Sequence, residues 1–104
     1  IDELCAEISA ERGRALALQM DVADIDQIEP TVAAISEALG PIDVLVNNAG
    51  MSVDAKALDL SPSDYDEVMG TNAKGAYFMA QAVAREMVAN GRGGSIINVS
   101  SFVT

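Results

Sequence analysis

Histidine is absent from this 104-residue chain, cysteine occurs once, and basic residues are scarce. Each shortage removes a class of chemistry. Without histidine these residues cannot supply a Ser-His-Asp triad. One cysteine and no histidine also remove the common zinc ligand sets, so no metal site is expected. Cys5 has no partner for an internal disulfide, and its neighbours suggest a small buried hydrophobe rather than a reactive thiol. Lys and Arg number 6 against 16 Asp and Glu, a net charge of −10. That balance is wrong for neutralising a nucleic-acid backbone and fits an acidic, solvent-facing surface. No apolar run reaches the length of a membrane span, and no secretory signal pattern opens the chain. A cytoplasmic location with no membrane partner is therefore expected.

What is present is a core-forming pattern. Half of the residues are hydrophobic, which suits a globular domain and not a disordered one. Helical and strand patterns alternate along the chain. Ile1, Leu4, Cys5 and Ile8 sit at helical spacing, and Gly13 is expected to end that helix as a left-handed cap. Arg14 to Met20 reads as a strand buried on both faces. Asp24 can cap the next helix with Gln27 three residues on. Ile25, Ile28, Val32, Ile35 and Leu39 form its apolar stripe, and Pro30 places its effective start nearby. Gly40-Pro41 stops it before a strand over Ile42 to Val46. Ser61, Pro62 and Asp64 mark the start of a long helix that runs to about Asn90, with Gly91 to Gly94 as its exit. Ser95 to Val99 is the last strand. Helices between buried strands imply a parallel sheet covered on both faces.

Three apolar strands end abruptly in polar or very small residues. Val44-Leu45-Val46 runs into Asn47-Asn48-Ala49-Gly50, Leu16 to Met20 runs into Asp21-Val22, and Ile96 to Val99 runs into Ser100-Ser101. Ligands of open α/β sheets bind at the carboxyl ends of the strands. Two amides offer donors and acceptors, and Ala and Gly let a flat ligand approach the main chain. Asp21 alone reads more simply as a loop cap. Ser100 and Ser101 have no local base, so a hydrogen-bonding role fits better than a nucleophilic one. Gly70, Thr71, Asn72 and Gly75 mark a weak point in the long helix. Gly costs about 1 kcal/mol there relative to Ala. The weakness is either a kink that frees carbonyls for a water or a place of close packing on the sheet. The helix also carries two apolar faces. Its expected solvent stripe is Lys74, Phe78, Gln81 and Arg85, broken by Phe78. The other side holds Tyr77, Ala80, Val83, Ala84, Met87 and Val88. The second face is covered either by another subunit or by a further part of the same chain.

Taken together, Asp21-Val22, Asn47 to Gly50, Asn72 followed by Gly75, and Gly94 to Ser101 resemble the short-chain dehydrogenase/reductase family. Within it, the segment looks most like 3-oxoacyl-[acyl-carrier-protein] reductases and their sugar, polyol and alcohol dehydrogenase relatives. The resemblance implies an α/β Rossmann-like, doubly wound parallel sheet, here its third to fifth strands. Residues 1–104 are then expected to be a partial NAD(P)-binding domain, truncated at both ends. The implied activity is hydride transfer between NAD or NADP and a carbonyl or secondary alcohol. Asp21 would accept from the adenine amino group, and Val22 would meet the ring through its backbone. Asn48, Ala49 and Gly50 would line the cofactor. Asn72 would hold a relay water through its backbone carbonyl, and Ser101 would bind the substrate oxygen. The family's glycine-rich loop and its Tyr-x-x-x-Lys pair are not among these residues. Tyr65 and Tyr77 do not substitute, because Met69 and Gln81 stand four residues on. A homotetramer or homodimer through the 62–90 helix is the implied assembly. A relative that binds a dinucleotide without catalysis is the alternative. In the strand order 3-2-1-4-5 the third strand cannot touch the fourth, so the isolated chain is expected to be unstable.

Overall fold

A computed structural model describes residues 1–101. Helix α1 spans Asp2–Ala10 with Asp2 and Glu3 in its first turn, where negative charge suits the helix dipole. Its end is a Schellman arrangement: the Gly13 N–H donates to the Ile8 carbonyl at 2.9 Å and the Arg12 N–H to the Ser9 carbonyl at 3.2 Å. The left-handed residue is Arg12, with φ 67°, and not the expected Gly13. Gly13 answers a different need, since a Cβ there would lie 2.6 Å from Ile8 Cγ2. No residue of α1 is buried. Cys5 is only half-buried, contrary to expectation.

Residues 14–20 make no strand ladder. The expected strand has the right composition but no neighbour to pair with, and Leu16 and Leu18 are more than two-fifths exposed. A short 3-10 turn, Ile25–Gln27, is capped by Asp24, whose carboxylate accepts from the Asp26 N–H at 3.2 Å. It leads into α2, Ile28–Leu39, which ends at Gly40 with φ 95°. Pro30 stands in the first turn of α2, where a missing N–H costs little.

Strand β1 is Val44–Asn47 and β2 is Ser95–Asn98. They pair in parallel with Val44 opposite Ser95 and Asn47 opposite Asn98. Between them, α3 covers Pro62–Met69, with Ser61 Oγ accepting from the Asp64 N–H at 3.0 Å. A π-helical turn, Gly70–Gly75, follows, and then α4, Ala76–Ala89. The long helix is thus continuous in direction but changes its hydrogen-bond pattern where the glycines lie. Its exit uses Gly91 at φ 63° as a left-handed cap.

The core lies between α2 and α4, resting on β1. Ile28, Val32, Met79, Ala82, Val83 and Met87 are buried, with Val22, Leu45 and Phe78 packed against them. Burying each large aliphatic side chain contributes about 1.5–3 kcal/mol. Ser36 donates to Glu86 across the same helix pair. Phe78 therefore belongs to the core edge, which corrects its place in the solvent stripe. Tyr77 and Val88, expected on the covered side, are 65% and 81% exposed. Strand β1 is open on one face, with Val44 and Val46 about half exposed, and every residue of β2 is exposed. The expected two-sided cover is missing because the described elements supply helices to one face only. The accessible surface is 7772 Å², against about 5,500 Å² for a compact chain of this mass. No helix among the described residues is long and apolar enough to cross a membrane.

Candidate functional site

The carboxyl ends of β1 and β2 open into one cleft of about 1100 Å³. Asn48, Ala49 and Gly50 enter it from β1, Ser100 and Ser101 from β2, and Asn72 from the π turn. The parallel register forces this meeting, because aligned strands deliver both of their ends to the same edge. Ser61 and Pro62 then start α3 so that Tyr65, Val68 and Met69 close one side.

Polar side chains brace the cleft. Asn47 Nδ2 donates to Asn98 Oδ1 and to the Ala76 carbonyl, both at 3.1 Å. One amide thus joins β1, β2 and the start of α4. Asn72 clasps Met51 from both ends: its Nδ2 donates to the Met51 carbonyl at 2.7 Å, and its Oδ1 accepts from the Met51 N–H at 2.9 Å. The clasp fixes the loop that leaves Gly50 against the π turn.

The glycines separate packing from open space. A Cβ at Gly75 would lie 2.6 Å from the Val22 carbonyl oxygen, so close packing demands glycine there. A Cβ at Gly50 would meet nothing nearer than Asn72 Oδ1 at 3.5 Å, an ordinary contact. Gly50 also has no positive φ. Neither the backbone nor a described neighbour requires a glycine at 50, which leaves a cradle that a flat ligand can occupy.

Asp21 and Val22 do not line the cleft. They lie across the π turn from it, with Val22 against Gly75 and Ala23 3.6 Å from a Cβ at Gly70. Asp21 Oδ1 accepts from the Ala23 N–H at 2.9 Å, and the Asp21 N–H donates to Gln27 Oε1 at 3.2 Å. This is the loop-capping role read from Asp21 alone, and it uses one of the two carboxylate oxygens.

The profile of the short chain dehydrogenase family matches residues 1–104. The chain belongs to that family. It is 51% identical to the L-rhamnose 1-dehydrogenase (NAD(P)(+)) of Azotobacter vinelandii over 95% of this chain and 39% of that protein. It is 42% identical to the sorbitol dehydrogenase of Cereibacter sphaeroides, over 95% of this chain and 39% of that one. Among solved structures, the gluconate 5-dehydrogenase of Burkholderia cenocepacia, in complex with NADP and tartrate, superposes with a TM-score of 0.84 at 36% identity. That match covers 95% of this chain and 38% of the other. This short-chain dehydrogenase chain thus spans about two-fifths of the length of the relatives it matches. The matched fold accounts for the lone pair β1–β2: a doubly wound sheet places other strands between residues 14–20 and β1.

Two features of the cleft were not expected from the sequence. One is the brace of Asn47, and the other is the Asn72–Met51 clasp. The first had a signal, since Asn47 and Asn98 close two apolar strands at equivalent places. The second had none, because it joins residues 21 positions apart through a loop.

Proposed function

We propose that residues 1–104 are the central part of an NAD(P)-binding Rossmann domain in an NAD- or NADP-dependent oxidoreductase. The observation that carries this reading is the single cleft shared by Asn48, Ala49, Gly50, Asn72 and Ser101 at the ends of two parallel strands. The open space at Gly50 fits a planar cofactor lying along the main chain. When bound, the nicotinamide cofactor supplies or accepts the hydride. Asn48, Ala49 and Gly50 line its ribose side. Asp21, through the oxygen not used on Ala23, and Val22, through its backbone, hold the adenine. Ser101 donates a hydrogen bond to the substrate oxygen and orients it. Asn72 holds a water through its backbone carbonyl, extending a proton path to a general acid outside these residues.

The substrate in this reading is a small carbonyl compound or secondary alcohol. The names of the relatives favour a sugar or polyol over a 3-oxoacyl thioester. The parent assembles as a homodimer or homotetramer through the exposed face of the 62–90 helix, where Tyr77 and Val88 are uncovered. Ser101→Ala in the whole enzyme tests the reading. It is expected to lower kcat by about 10²–10³, the loss of one donor to the reacting oxygen. Ser100→Ala is expected to stay within about threefold, well under the 1.4 kcal/mol that a tenfold change represents. Equal effects of the two substitutions would sink the assignment to Ser101.

A further inference from the structure

The exit of α4 holds a reactive pair of residues that has no part in the cleft. Asn90 is followed by Gly91, and no other asparagine of the chain precedes a glycine. An asparagine loses its side-chain amide when the backbone nitrogen of the next residue attacks Cγ. A next residue without a Cβ leaves that approach open. Asn48 and Asn72 precede alanines, and Asn98 precedes the β-branched Val99. The amides of Asn47 and Asn72 are also engaged, donating to the Ala76 and Met51 carbonyls. Asn90, Gly91 and Arg92 are all exposed.

The fold governs the rate of this attack. Asn90 closes α4 at φ −84° and ψ −2°, and the Gly91 N–H donates to the Val88 carbonyl at 3.1 Å. Its nitrogen is then turned away from the Asn90 side chain. Attack needs a large rotation about ψ, so the last turn of the helix must open first. Arg92 resists that opening twice. Its N–H donates to the Met87 carbonyl at 3.0 Å, and its guanidinium donates to Asp43 Oδ1, from Nη2 at 2.7 Å and from Nε at 3.2 Å. Both side chains of this ion pair are more than half exposed, so it is a weak latch, and helix ends open readily. We infer that Asn90 is a site of spontaneous deamidation, released by fraying of the end of α4 and slowed by the Arg92–Asp43 pair.

In the reaction the Gly91 nitrogen gives its proton to solvent and bonds to Asn90 Cγ. The Cγ–Nδ2 bond breaks, and ammonia leaves with a proton from solvent. Water then opens the cyclic imide at either carbonyl, giving aspartate or isoaspartate, with no change of oxidation state. Either product puts a negative charge at the negative end of the helix dipole. Isoaspartate also adds a methylene to the main chain, so the crossing hydrogen bonds to Met87 and Val88 lose their register. The exit has little room to adjust. A Cβ at Gly94 would lie 2.5 Å from Met87 Cε and 2.6 Å from the Asp43 carbonyl oxygen. The Ser95 N–H donates to that same oxygen at 2.9 Å, so the change reaches the start of β2.

The test uses the whole enzyme that contains these residues, aged in neutral and in mildly alkaline buffer, folded or unfolded in urea. Digests taken over time are read by mass spectrometry, and isoaspartate is scored by enzymatic methylation. In the folded enzyme the Asn90 peptide is expected to convert at least about tenfold faster than peptides holding the other asparagines, about 1.4 kcal/mol in barrier. Conversion is expected to be faster at the higher pH and faster still in urea. Arg92→Ala and Asp43→Asn are each expected to speed it about two- to fivefold in the folded enzyme, the range of an exposed ion pair. Asn90→Gln is expected to abolish it, along with the fall in urea midpoint that ageing produces. Conversion confined to the unfolded chain would overturn the inference, as would equal rates at every asparagine. Rates indifferent to both Arg92→Ala and Asp43→Asn would overturn the latch.

Discussion

Gly75 ends the π-helical turn, Gly50 stands beside it, and the two serve opposite purposes. Gly75 faces the 21–23 loop, where a Cβ would strike the Val22 carbonyl at 2.6 Å. Gly50 faces the cleft, where a Cβ would have room. The lesson is that a glycine at a strand end or in a helix carries no meaning of its own. What a methyl group would touch decides whether it serves packing or a ligand. The turn thus has a packed side, toward residues 21–23, and an open side, toward the cleft.

The contrast can be broken most strongly at Gly75. Alanine is favoured over glycine in a helix by about 1 kcal/mol, but the clash with a backbone oxygen can be relieved only by moving the 21–23 loop. Overpacking of this kind costs about 1–3 kcal/mol. Gly75→Ala is expected to lower the unfolding free energy of the whole protein, measured by urea titration. A stabilised variant would show that the contact is not tight.

Asn72→Ala comes next. It removes both hydrogen bonds to Met51, a loss of about 1–2 kcal/mol for an exposed pair. The expected signature is faster hydrogen exchange at the Met51 amide, with the β1–β2 ladder unaffected. Unchanged protection at Met51 would mean the clasp does not hold in solution.

Gly50→Ala sharpens the comparison by its small structural effect. Unfolding free energy is expected to stay within about 0.5 kcal/mol. Dinucleotide affinity, measured by calorimetry, is expected to fall by about tenfold, because the methyl group enters the cradle. Loss of stability without loss of affinity would reverse the roles assigned to the two glycines.

Much of this was legible in the residues. Ser61, Pro62 and Asp64 announced α3, and the aliphatic runs before Asn47 and Ser100 announced β1 and β2. These signals are local: a cap side chain, a fixed proline φ, and branched residues suited to a pleated surface. The weakness at Gly70 to Gly75 was also visible, although its form as a π turn was not. Where physics is not local, the residues misled. Residues 14–20 have the composition of a strand and form no ladder, since a strand exists only through a partner. Arg12 holds the left-handed position expected of Gly13, because the two crossing hydrogen bonds back to Ile8 and Ser9 set the register of the cap. Of the site, Asn48 to Gly50 and Ser100-Ser101 could be picked out, but the brace at Asn47 and the separation of Asp21 from the cleft could not.

The sequence by itself determined the alternation of elements, their caps, the break in the long helix and the polar ends of the strands. Each depends on torsional preference and on hydrogen bonds within a few residues. Only the tertiary structure decided that two strand ends and the π turn share one cleft, that Gly75 is needed for packing and Gly50 is not, and which face of α4 is buried. Those outcomes depend on which distant surfaces meet, and contact between residues far apart in the chain is set by the packing of whole elements.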